Sequence, residues 1–209
     1  MLLLRSEWSN LQSAVHLREA YWWRCVLARQ QISHSEGLLL AASLAAQKAA
    51  PDLVEYFCEH AKEEAPHVAW ATADLGYMET VTGRDCAVES VRIQHLIERQ
   101  RVYLESGDVT SFLGYVLALE AFPGSERYWT TYAVRAGLPI SCFQNVLGHA
   151  FSDVAHSDAL RDIVDEISQA RMPSLLDSLS LTFTDLSRAL TDGMHVIVSA
   201  REEQMGDIH

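Results

Sequence analysis

The sequence predicts an all-α fold in a single domain. Three observations lead there. Apolar residues recur at three- and four-residue intervals along most of the chain, and no stretch alternates at the period of two that a half-buried strand requires. Capping-box pairs, prolines and glycines punctuate that pattern at helix-length intervals. At 209 residues the chain can form one substantial core, and no linker or low-complexity tract divides it.

Trp8, Leu11, Val15, Trp22 and Val26 define a first helix over 7–31. Its Tyr21-Trp22-Trp23 cluster reads as core packing or a dimer face, with a substrate-pocket wall as the alternative. Ser33 and Glu36 stand at capping-box spacing and Pro51 closes the stretch, which predicts a second helix over 34–49. A third helix, 52–81, starts behind Pro51 and stops at Thr82-Gly83. Pro66 lies inside it, removes a backbone N–H and predicts a kink beside His67. Asp85 caps a fourth helix over 86–105, polar enough to leave one side, His95 included, in solvent. Ser106-Gly107-Asp108 then turns into a fifth helix, 109–122, apolar nearly all round except for Glu120. A sixth covers 125–136 and breaks at Gly137-Leu138-Pro139. Ser141 and Gln144 form another capping-box spacing and open a seventh; Ser157-Asp158 marks a fresh start running to about 170. After Pro173, Leu175, Leu176, Leu179, Phe183, Leu186, Leu190 and Val196 outline a closing core helix over 175–203.

One spacing occurs twice. Residues 60–67 read HAKEEAPH and residues 149–156 read HAFSDVAH, so that His60, Glu64, His67 and His149, Asp153, His156 each run i, i+4, i+7. At ~100° per residue those positions form one stripe on a helix. Either stripe alone reads as a surface hydrogen bond between His and carboxylate. Two stripes in segments that otherwise look buried point to a metal site. Imidazole and carboxylate without thiolate suit iron, manganese or zinc, and Glu-x-x-His pairs such as Glu64 and His67 build di-iron sites in helical bundles. Glu120 needs a partner if its helix is buried, either a metal ion or an arginine; the alternative is that it points out of the last turn. Asp74 continues the first stripe, as an outer partner holding a His ring or as a surface or capping residue.

Composition narrows the partners. The formal net charge of −12, from 28 acidic and 16 basic residues, gives no electrostatic footprint for nucleic acid or anionic lipid. The longest uncharged apolar run, GLLLAASLAA at 37–46, is about half a membrane span and reads as a core helix. Cys25, Cys58, Cys86 and Cys142 form no C-x-x-C pair, and MLLLR is too short an apolar stretch for a signal peptide, so reduced thiols and a cytoplasmic location are expected.

With these motifs in place, the sequence resembles the heme-oxygenase-like iron-containing redox enzymes, a family of non-heme di-iron oxidases and oxygenases. HAKEEAPHVAWATADL, LALEAF around Glu120 and HAFSDVAH carry the resemblance, which spans roughly 15–200. It implies a single-domain heme-oxygenase-like bundle of about seven helices, expected as a homodimer, that uses O2 on a small amine, amino acid or carboxylic acid. Two labile iron ions would be held by Glu64, His67, Glu120, His149, Asp153 and His156, with His60 either a ligand or an outer partner. Pro66 departs from the glycine of the family pattern. Metal-free relatives on the same fold, the thiaminase-like proteins and a cofactorless oxidase, supply the alternative: a metal-free small-molecule enzyme or binding protein.

Overall fold

The computed structural model describes residues 13–121 and 124–206, with side chains as far as Gly193. Trp8, Leu11, Phe122 and the Val196 side chain, which entered the expectations above, lie outside the described residues.

The first two expected helices are one. Helix α1 runs without a break over Ala14–Ala49, 36 residues and ~54 Å. Ser33 does not cap a new helix, because its Oγ donates back to the Gln30 carbonyl at 2.9 Å. Gln30 is buried and both ends of its amide are engaged: Nε2 donates to the Ser90 carbonyl at 3.0 Å and Oε1 accepts from the Ser90 N–H at 2.8 Å. With neither Gly nor Pro at 30–36, nothing opposes continuation there. Tyr21, Trp22, Trp23, Cys25, Val26 and Leu27 are all buried, so α1 is wrapped by the bundle rather than laid on it. The aromatic cluster is core packing. Tyr21 stacks on Phe143 at 4.1 Å and donates to the Cys142 carbonyl at 3.0 Å, while Trp23 Nε1 donates to the Ala189 carbonyl at 2.8 Å.

A 3-10 turn at Pro51–Leu53 leads into α2, Val54–Glu64, and α3, His67–Thr82. The expected single helix with a kink is a broken rod. Pro66 keeps helical dihedrals (φ −74°, ψ −17°) but has no N–H to bond back, and His67 begins the next helix. Gly83, left-handed at φ 67°, ends α3 as its position predicts. Helix α4, Val91–Glu105, is capped by Ser90 and not by Asp85; the Asp85 side chain accepts from the Ala87 N–H at 2.8 Å and holds a turn instead.

Asp108 caps α5, Val109–Glu120, and Ser125 caps α6, Glu126–Ala136. After a 3-10 turn at Ile140–Cys142, α7 runs over Gln144–Glu166, straight through the fresh start expected at Ser157. The Ser141–Gln144 capping box does not form, and no side chain at the start of α7 caps it. Helix α8, Met172–Gly206, holds Pro173 in its first turn, where its missing N–H is harmless.

The described residues thus form eight α-helical segments, with α2 and α3 as halves of one rod, and no strand. Helix α1 packs against α2, α3, α4, α5, α6 and α8, and α5 lies along α8. No helix is long and apolar enough to cross a membrane among the described residues. All four cysteines are free, Cys25 and Cys142 buried.

Gly114 sets the closest helix approach. A Cβ there would lie 2.3 Å from the Leu175 carbonyl oxygen and 3.1 Å from the Leu179 nitrogen, both backbone atoms of α8. Gly114→Ala is therefore expected to lower stability by ~2–3 kcal/mol despite alanine's better helix propensity. Thermal unfolding would register it as a fall in Tm of ~4–10 °C.

Candidate metal centre

Helices α2 and α3 run antiparallel to α7, and the register follows from the residue numbers. His60 lies level with His156 and His67 level with His149, and in both pairs the numbers have the same sum, as antiparallel helices require. Each pair of rings has centroids 4.5 Å apart. The two stripes therefore do not form one cluster. Each stripe sends one end to each of two sites, and carboxylates complete them: His60, Glu120 and His156 in one, Glu64, His67 and His149 in the other.

In the first triad, Glu120 lies between two imidazoles, Oε1 at 2.8 Å from His60 Nε2 and Oε2 at 2.9 Å from His156 Nδ1. Glu120 is 7% exposed, which rules out the outward-pointing alternative. In the second, Glu64 Oε1 is 2.8 Å from His67 Nδ1 and 3.9 Å from His149 Nε2. Despite these short separations, His60 Nε2, His67 Nδ1, Glu120 Oε2 and His156 Nδ1 are buried atoms without a properly directed hydrogen bond. Two donors ~2.1 Å from one ion and at right angles across it lie ~3 Å apart, so this spacing without hydrogen-bond direction fits a shared cation.

Neighbours of the rings say which nitrogen is free. The His149 Nδ1–H donates to the Asn145 carbonyl at 2.8 Å, leaving the Nε2 lone pair toward Glu64. His60 Nδ1 lies 3.2 Å from the Tyr56 hydroxyl; with Nδ1 as donor, the Nε2 lone pair meets a carboxylate oxygen at 2.8 Å. Two acceptors that close need a cation between them, a proton or a metal ion. Electrostatics agree. Burial pushes the Glu120 carboxyl up, but His156 and His60 outweigh it and hold it down at about 2, while Glu120 raises His156 to about 9 against its burial. Burial also pushes His149 down, which favours the neutral ring a metal would need.

Asp153 is buried on the wall beside these groups and belongs to neither triad. Burial, and then the charge of Glu120, push its carboxyl up to about 7. His60 stands with Glu120 and His156 in the first triad. Asp74 holds no His ring and takes the capping role left open for it: Oδ1 accepts from the Gln144 N–H at 3.0 Å and Oδ2 from the Asn145 N–H at 2.9 Å. It supplies the cap α7 lacks in its own sequence and anchors the helix that carries three of the site residues.

Sequence reasoning missed several neighbours. Glu63, more than half exposed, accepts from His156 Nε2 at 2.7 Å; its place beside Glu64 in the first stripe is the signal that could have found it. Trp70 stacks on His67 at 4.5 Å, and a Cβ on Gly148 would meet that indole at 2.3 Å. Nothing in the sequence pairs Gly148 with Trp70. Beside the triads lies a cavity of about 710 Å³, lined by Glu64, Glu120, His149 and Asp153 among mainly apolar side chains.

No protein-family model matches the chain, and neither does any curated protein. Among solved structures, it is similar to a domain of unknown function with a heme oxygenase-like fold from Shewanella denitrificans OS217. The identity is 16% over 99% of this chain and 90% of that one, with a TM-score of 0.75. The chain accordingly has a heme oxygenase-like fold.

Asp74→Ala would strand the buried Asn145 N–H and leave the Gln144 N–H to solvent at the start of α7, with an expected loss of ~1–3 kcal/mol. Chemical denaturation would show a lower midpoint at unchanged slope.

Proposed function

We propose that the chain is a non-heme di-iron protein that uses O2 to oxidise a small molecule. His60, Glu120 and His156 would hold one iron and Glu64, His67 and His149 the other, with Asp153 beside them as a further carboxylate. Two histidines and one carboxylate with open positions are the donor set of many non-heme iron oxygenases. The observation that carries the reading is the pair of triads, five of whose six residues are buried, in which His60, His156 and His67 nitrogens lie 2.8–2.9 Å from a Glu120 or Glu64 oxygen without hydrogen-bond direction. When bound, the iron would supply the O2 activation that no side chain can.

The chain's own residues have separate tasks. The Asn145 carbonyl and the Tyr56 hydroxyl orient His149 and His60. Trp70 covers one face of His67, and Glu63 steadies His156 from the solvent side. Phe112, Val116 and Leu119 on the cavity wall keep bulk water from the reacting groups.

A second reading has one observation in its favour. Glu120 and His156 already balance each other's charge, so the same core could serve a metal-free enzyme or binding protein. Metal content separates the two. Protein produced with added iron and kept anaerobic is expected to bind about two equivalents, and His60→Ala and His149→Ala about one each. Elemental analysis showing no retained iron in wild-type protein would favour the metal-free reading.

Proton release gives an independent check. His156 in the metal-free protein is held at about 9, so at pH 7 a metal ion must displace its proton. Affinity should rise as pH increases from 7 to 9, with about one proton released per His156-containing site at pH 7 and little above pH 10. Calorimetry in buffers of different ionisation enthalpy reads this directly.

A further inference from the structure

The cavity beside the triads contains a neutral polar strip that neither triad uses. Helix α1 lines the cavity from Arg24 to Leu39, ~22 Å along the helix, and α5 and α8 face it with Phe112, Val116 and Leu190. Midway along that wall, Gln31 and Ser35 interrupt the apolar residues of α1, four positions apart and therefore on one face. Tyr115 of α5 joins them from the opposite wall, its hydroxyl beside the Gln31 side chain. Tyr115 is 3% exposed, and its hydroxyl has no directed hydrogen bond among the described residues. A buried hydroxyl left in that state is unfavourable, and an oxygen carried into the cavity by a ligand would satisfy it.

Charge decides which oxygen. Burial, and then the charges of Glu64 and Glu120, push the Tyr115 phenol above its ordinary value, so the strip stays neutral. A carboxylate seated at Tyr115 would stand in the field of those same two charges and, with no cation among Gln31, Ser35 and Tyr115, would lose its water without a counter-charge. Arg24 does not offset this. It is half-buried, over the Trp129 ring at 4.8 Å from the centroid, and a part-exposed cation adds little to the binding of an anion. An ammonium finds Glu64 and Glu120 already turned to histidines, and Asp153 stands beside the triads where the proposed irons would bring positive charge. A neutral oxygen, by contrast, meets two donors, the Tyr115 hydroxyl and the Gln31 amide.

We propose that the cavity binds an uncharged alcohol or ketone with an extended apolar body, its oxygen held by Gln31, Ser35 and Tyr115 and its body along the apolar walls of α1, α5 and α8. This departs from the amine, amino acid or carboxylic acid that the family resemblance implies. The inference rests on the proposed oxidase only for the ligand's role as substrate; binding itself needs no metal.

Metal-free protein separates this from the iron assignment. Decan-2-one, decan-1-ol, decanoate and decylamine would be titrated at pH 7 against wild type, Tyr115→Phe and Gln31→Met, read by tryptophan fluorescence, with circular dichroism confirming that each variant is folded. Both substitutions remove the polar group and nearly keep the volume, so they probe the hydrogen bonds at constant packing. The two neutral compounds are expected to bind wild type ~5-fold or more tighter than either charged one. Each variant should weaken the neutral compounds ~3–10-fold and leave decanoate and decylamine unchanged. Equal or tighter binding of decanoate or decylamine, no binding of any of the four, or folded variants that bind the neutral compounds as wild type does would each overturn the proposal. Should one variant fail to fold, the other carries the test. Iron retention is measured separately, so its failure leaves a preference for neutral ligands standing, and loss of the preference leaves the iron result untouched.

Discussion

Glu120 and Glu64 are carboxylates inside an otherwise apolar bundle, and the arrangement of the surrounding helices follows from how those charges are met. A bare carboxylate in such a place would destabilise the fold by several kcal/mol, so imidazoles must arrive from other helices at close range. Glu120 takes His60 from α2 and His156 from α7; Glu64 takes His67 from the adjoining α3 and lies within reach of His149 from α7. Three rods are thereby tied to a common level. A shift of α7 by one turn, ~5.4 Å, would leave both carboxylates without their distant partners.

Several irregularities serve that alignment. The Pro66 break restarts the rod at His67, so that Glu64 and His67 meet within one site while His60, on the straight part of α2, reaches the other. Asp74 fixes the start of α7 with two backbone hydrogen bonds, and Gly148 lets that helix lie on Trp70, which in turn stacks on His67. Each of these residues acts on the site through packing or backbone geometry. The same long helix that forms the wrapped core, α1, also lines the cavity with Leu27, Ile32 and Leu39.

Much of this was legible in order of appearance. Period-3.6 patterning and the absence of alternation gave an all-α bundle, and Gly83, Gly107 and Gly137, the glycines of the expected stops and turns, have the positive φ those places need. The paired i, i+4, i+7 stripes brought out the buried histidines and carboxylates. Where the reading went astray, a distant contact had overridden a local signal. Ser33 looked like a cap, yet the Gln30–Ser90 clasp keeps α1 continuous; Ser141 looked like a cap, yet Asp74 does that work from another helix.

The chain alone therefore determined which residue types share a helix face, because helical periodicity is a property of neighbours a few positions apart. Only the tertiary structure decided how the stripes divide into two triads and that Asp153 stands outside both. Those outcomes depend on the register and spacing between helices up to about a hundred residues apart, which no local pattern encodes.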